Sequence, residues 1–129
     1  MNQEKAKELA NVLRNVVVQS YDLSKDIRTE LSKDIRTEQT IILDEYFFKK
    51  FMLNGMSKFN ETLDKIILAE ENFEEIGSST ITIHPSVSEK IFRDIFEIYT
   101  MGRNIDDYLE KTGEKTYRTF KGNIVKFIH

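Results

Sequence analysis

Apolar residues recur at Leu9, Leu13, Val16, Leu23 and Ile27, a spacing that follows a heptad seam with Ser20 at the skipped position. No Gly or Pro interrupts the chain between Asn2 and Leu53. The pattern predicts one long helix that stops at Asn54-Gly55, with Gly55 in the left-handed conformation common just past a helix end. At 1.5 Å per residue such a helix would be about 75 Å long. That is wider than a 129-residue globule. The helix therefore either breaks near Ser20 to Leu23 or Glu38 to Thr40, or projects as a coiled coil.

Phe59, Leu63, Ile66, Ile67 and Phe73 continue a helical period from Ser57 to about Ile76, where Gly77 ends it. A short link between the two helices predicts an antiparallel helical hairpin. The texture then changes. Ser79 to His84 alternates with period two and is rich in β-branched residues, which reads as a strand closed by Pro85. Ser86-Val87-Ser88-Glu89 has the form of a capping box and opens a helix carrying Ile91, Phe92, Ile95, Phe96, Ile98 and Tyr99, with Gly102 at its end. Asn104 can cap a further short helix, Ile105 to about Lys111, ended by Gly113. Thr116 to Phe120 and Ile124 to Ile128 read as two strands about Lys121-Gly122-Asn123. The predicted fold is mainly α, of the α+β class: a helical hairpin over residues 1–76 and a small β-α-α-β-β unit over 77–129, packed together as one compact domain.

The long helix contains an exact tandem duplication. Leu23 to Glu30 (Leu-Ser-Lys-Asp-Ile-Arg-Thr-Glu) is repeated letter for letter as Leu31 to Glu38. Leu23, Ile27, Leu31 and Ile35 form one i, i+4 row, and Asp22, Asp26, Glu30, Asp34 and Glu38 form another. Each step of four advances about 40° around a helix, so both rows wind. The acidic row repels itself by a few tenths of a kcal/mol per pair, roughly, and Lys25 and Lys33 offset part of this. Eight residues are one heptad plus one. Their insertion shifts whatever follows by about 12 Å and about 80° if the segment stays helical. The octad contains no helix breaker, which favours that outcome over a looped-out copy.

Composition narrows the class. The chain is 40% hydrophobic and 32% charged, the balance of a globular protein with exposed helices. A net charge of -3 predicts no general affinity for nucleic acid or anionic membrane. The absence of cysteine removes disulfides and thiolate metal sites and fits a reducing cytoplasm. No apolar run approaches the roughly 18 residues of a membrane span, and the first residues form no secretory signal. Scarce alanine beside abundant Ile, Lys, Asn, Phe and Glu suggests an AT-rich genome, such as that of a phage or mobile element.

Candidate chemistry is thin. His84 and His129 are the only histidines, and neither has a partner at ligand spacing. The acidic clusters Asp44-Glu45, Glu70-Glu71 with Glu74-Glu75, and Asp106-Asp107 with Glu110 could hold Mg²⁺, but they fit solvated helix faces and helix starts better. The serines lack a nucleophile motif, and the five glycines form no phosphate loop. No catalytic, cofactor or metal site is therefore expected, and no small-molecule substrate.

Two surfaces remain. The first joins the octad row Leu23, Ile27, Leu31 and Ile35 to Tyr46, Phe47 and Phe51, part of the densest apolar block in the chain. It predicts a non-enzymatic interaction or assembly protein that self-associates, or takes a protein partner, through its N-terminal helix. The second is the basic, aromatic C-terminal stretch with Lys115, Tyr117, Arg118, Lys121 and Lys126, the makings of a nucleic-acid platform. A metal-dependent enzyme with a carboxylate site is the third reading.

Overall fold

The structure is a computed structural model and describes residues 3–33, 55–72 and 79–128, with side chains of the first helix described up to residue 21. The N-terminal seam forms α1 (Gln3–Lys33) and buries Leu9, Leu13 and Val16. The next described helix, α2 (Met56–Glu71), runs antiparallel to it. Arg14 of α1 pairs with Glu71 at the end of α2, while Ser20 bonds Asn60 near its start. There follow β1 (Thr80–Ile83), α3 (Glu89–Tyr99), a 3₁₀ turn (Ile105–Asp107), β2 (Glu110–Gly113), β3 (Thr116–Arg118) and β4 (Ile124–Phe127). The fold is mixed α+β.

The strands form a mixed sheet of order β1-β4-β3-β2. β1 lies parallel to β4, and the other neighbours are antiparallel. Ile81 and Ile83, Tyr117, and Val125 and Phe127 alternate onto one face. There they join one apolar cluster with Leu9 and Leu13 of α1, Phe59 and Leu63 of α2, and Phe92 and Ile95 of α3. The two sequence regions, 1–76 and 77–129, thus contribute to one core. Thr80, Thr82, Arg118 and Lys126 face the other way, to solvent.

Local chemistry departs from the sequence expectations at several places. α2 ends at Glu71, where Asn72 turns extended at φ -91 and ψ 90, rather than running to about Ile76. Gly55 is not left-handed; it stands at φ -122 as the residue capping the start of α2. The cap of α3 is Ser88 rather than Ser86, and its hydroxyl accepts from the Ile91 amide at 3.2 Å. Pro85 is the reason. It sits in a turn closed by the Val87 amide on the His84 carbonyl at 2.9 Å, so the helix starts only after Val87. Val87 and Phe92 then occupy the two positions of a hydrophobic staple, both buried. Glu89, released from a capping role, is free to reach the sheet.

At the other end of α3 two residues in a row take positive φ, Met101 at 60 and Gly102 at 92, and it is Met101, not Gly102, that holds the first position past the cap. The Gly102 amide donates to Glu97 O at 2.8 Å and the Met101 amide to Ile98 O at 3.4 Å, the paired bonds of a Schellman motif. A left-handed L residue costs about 1–2 kcal/mol, whereas glycine's extra backbone entropy costs about 0.5–1 kcal/mol. The Met101 side chain is 95% exposed and contributes no packing. Met101→Gly should therefore stabilise the fold by about 0.5–1 kcal/mol, read as a higher urea midpoint at unchanged slope.

The last two departures adjoin. The expected helix from Ile105 to Lys111 is only the 3₁₀ turn, still capped by Asn104 Oδ1 on the Asp106 amide at 2.9 Å. The chain then extends as β2, a strand the sequence did not announce. The unit is therefore β-α-3₁₀-β-β-β, not β-α-α-β-β.

Candidate functional site

The interaction surface read from the sequence is described only in part. Leu23, Ile27 and Leu31 lie on α1, which stays helical through the first octad copy into the second. Their side chains, and residues Ile35, Tyr46, Phe47 and Phe51 altogether, lie outside the described residues. Just before the octad, Val18 and Tyr21 are each more than half exposed, one turn apart on α1. On the α2 side of the seam, Asn60 and Ser20 are fully buried among apolar neighbours. The Ser20 hydroxyl has one proton, yet it lies 2.8 Å from Val17 O and 2.6 Å from Asn60 Oδ1. Asn60 Nδ2 meanwhile has no partner. The arithmetic of donors assigns the amide the other way round: Nδ2 donates to Ser20 Oγ, which donates to Val17 O. The atom left over is then a carbonyl oxygen, which costs less to leave unpaired than an N–H.

The basic surface is fully described, and its members scatter. Arg118 and Lys126 share the solvent face of the sheet, diagonal to one another across β3 and β4. Arg118 pairs with Glu110 of β2 at 3.3 Å. Lys115 sits in the β2–β3 turn at φ 59, and Lys121 sits in the turn at the opposite end of the sheet. Tyr117 faces the core and is 1% exposed. Its ring packs edge-on against Phe127, with centroids 5.7 Å apart, and is not presented to a base.

Tyr117 instead anchors a polar cluster that sequence reasoning missed. Its hydroxyl donates to Glu89 Oε2 at 2.9 Å and accepts from Arg93 Nη1 at 2.9 Å. Glu89 and Arg93 are one turn apart on α3, so they straddle the hydroxyl. Arg93 also clamps Asp106 through two bonds, at 3.1 and 2.8 Å, and Lys111 approaches Glu89 at 3.6 Å. The cluster ties α3, the 3₁₀ turn and the sheet together with every group matched. The Arg93 hydrogen bonds hold the Asp106 carboxyl below its usual range. Burial, helped by the bond to Glu89, pushes the Tyr117 phenol up to about 12.

That shift has a pH consequence. A phenol raised from about 10 in the unfolded chain to about 12 in the fold contributes stability below pH 10. The contribution is lost as pH rises through about 12. Between these values the unaltered protein should lose stability more steeply than Tyr117→Phe, in thermal midpoints measured across the alkaline range. Parallel profiles would contradict this.

A second polar network joins α2 to the β3–β4 turn. Glu70 is fully buried. Its Oε1 accepts from Asn123 Nδ2 at 2.9 Å and its Oε2 from the Lys121 amide at 3.2 Å. Asn123 Oδ1 accepts from the Ser79 amide at 3.0 Å, at the mouth of β1. Thr119 closes the turn with bonds to both the amide and the carbonyl of Asn123. Beside this network a groove of about 660 Å³ lies between α2 and β1, lined among the described residues by Lys65, Leu68, Ala69, Glu71, Asn72, Ser79, Thr80 and Ile81.

His84 is exposed and bonds within its own loop, with Nδ1 accepting from the Ser86 amide at 3.1 Å. Among the described residues, no three His, Cys, Asp or Glu side chains come together as a metal site, and no helix is long and apolar enough to cross a membrane. Comparison with protein-family models, curated proteins and solved structures finds no match for the chain.

Proposed function

We propose that this is a non-enzymatic assembly protein whose N-terminal helix carries its contacts, with a second copy of the chain as the first partner. The supporting observation is the reach of α1. Its last described cross-helix bond to α2 is at Ser20, and the helix continues to Lys33. Thirteen further residues extend it about 20 Å beyond that bond, whereas α2 begins only about 6 Å beyond it. The octad therefore prolongs a helix past the partner helix that buries its first half. On that extension Leu23 and Ile27 continue the heptad spacing of Val16 and Ser20, the pattern on which helix pairing rests.

The nucleic-acid reading ranks second. Two cations share an exposed face, but the region's aromatic Tyr117 is spent in the core and Arg118 is already paired. A carboxylate-metal enzyme ranks third, because Asp106, Glu110, Glu70 and Glu71 are each engaged by protein groups.

Replacing Leu23 and Ile27 together by Asp should halve the mass in size-exclusion chromatography with light scattering. Val18 and Tyr21, left in place, serve as the control surface. An unchanged mass in a folded variant would remove the octad row from the contact.

A further inference from the structure

We propose that the buried Ser20–Asn60 pair is a register lock that selects which heptad of α1 faces α2. The seam by itself does not define one register. Leu9, Val16 and Leu23 are each seven apart, as are Leu13 and Ser20, and Ser20 and Ile27. α1 is helical through all of them. Sliding α1 by one heptad toward its own N-terminus moves it about 10.5 Å and returns the same helix face to α2. Val16 then takes the level of Leu9, and Leu23 that of Val16, so apolar residues exchange for apolar ones.

The chain has length to spare for this. The duplicated octad adds eight residues between the seam and α2, one more than the slide draws in. The exposed contacts of α1, Arg14 with Glu71 and Tyr108 with Glu8, resist the slide weakly because water competes for them. Ala6 and Ala10, both fully buried, oppose it by size, since Leu13 and Val17 would take their places.

Polarity opposes it most sharply where Ser20 meets Asn60, and more weakly where Ser24 would take the buried place of Val17. Asn60 is fully buried and depends on Ser20 for its side-chain bond. In the slid register Ile27 stands opposite Asn60, while Ser20 occupies the apolar level of Leu13. Both polar groups are then buried without partners, the costly case. A lone polar pair in an otherwise apolar seam is the known means of fixing register at a cost in stability. The unpartnered atom left on Asn60 in the native register is the sign of that cost.

The chain has no cysteine, so two introduced cysteines label cleanly. Nitroxides at Asn15→Cys on α1 and Lys58→Cys on α2, both exposed positions, report axial position by pulsed electron spin resonance. The unaltered seam should give one narrow distance. Ser20→Ala with Asn60→Leu removes the polar discrimination, and so does Ser20→Ala alone, which leaves Asn60 unpaired in either register. Each should add a second population, at least a tenth of molecules, displaced by up to about 10 Å. The single variant carries the test if the double variant does not fold. One unchanged narrow distance in a folded variant overturns the lock and leaves register to Ala6 and Ala10.

Discussion

Phe92→Ala should cost about 3–5 kcal/mol, the largest loss expected from any single truncation in the described core. Phe92 sits at the middle of a chain of rings that runs through all the layers. Its centroid lies 5.8 Å from Phe59 of α2 and 5.3 Å from Phe127 of β4, and Phe127 in turn meets Tyr117 of β3. Removing the ring therefore leaves one cavity bordered by helix and sheet together, and no single element can move to close it. Phe92 also holds the staple position opposite Val87, so the start of α3 loosens with it. At roughly 4 °C per kcal/mol for a domain of this size, the melting midpoint should fall by about 12–20 °C. Phe92→Leu keeps much of the volume and should recover at least half of the loss. A fall of less than about 5 °C for the alanine variant would mean that the core repacks freely around the gap.

Asn123→Ala should cost about 3–4 kcal/mol, although the residue is polar and lies in a turn. Truncation removes the donor to Glu70 Oε1 and the acceptor for the Ser79 amide in one step. Glu70 is fully buried and keeps only the Lys121 amide among its described partners. A buried acidic side chain that loses one of two hydrogen bonds carries a larger penalty than a neutral group would. Asn123→Asp separates charge from size, since it retains the volume and the acceptor for Ser79 but turns an oxygen toward Glu70. It should be at least as damaging as alanine in chemical denaturation at neutral pH. If both variants match the unaltered protein, the network is incidental to stability and water satisfies Glu70 instead.

The sequence made the periodic parts of this fold visible and hid the parts that pairing alone creates. Ile81 and Ile83 alternate with threonines, and a half-buried strand is the only structure that uses such an alternation well. The helix of Ile91, Phe92, Ile95, Phe96 and Tyr99 was equally plain, because all five are buried on one face. β2 was illegible. Glu110, Lys111, Thr112 and Gly113 are all exposed, so no burial pattern marks them. They are extended because Glu110 and Lys111 register against Arg118 and Tyr117 across the hairpin. Ser86 looked like a cap because the capping box is a spacing rule, and the turn at Pro85 overrode it.

The candidate sites divide along the same line. Basic and aromatic residues between Lys111 and Phe127 looked like one platform in linear order, but strand alternation sends Tyr117 and Phe127 inward and Arg118 and Lys126 outward. The partners of Tyr117, 24 and 28 residues away on α3, have no local signature. Nor does the match between Glu70 and Asn123, 53 residues apart. Ser20 was visible as the skipped position of the seam, and only the facing Asn60 gave that skip a meaning.

The central claim is that the helix carrying the duplicated octad assembles copies of the chain. Sedimentation equilibrium of the unaltered 15.2 kDa protein, at tens of micromolar and at several ionic strengths, tests it most directly. A mass that rises with concentration to twice the chain or more is the predicted result. A constant mass of one chain throughout would contradict it.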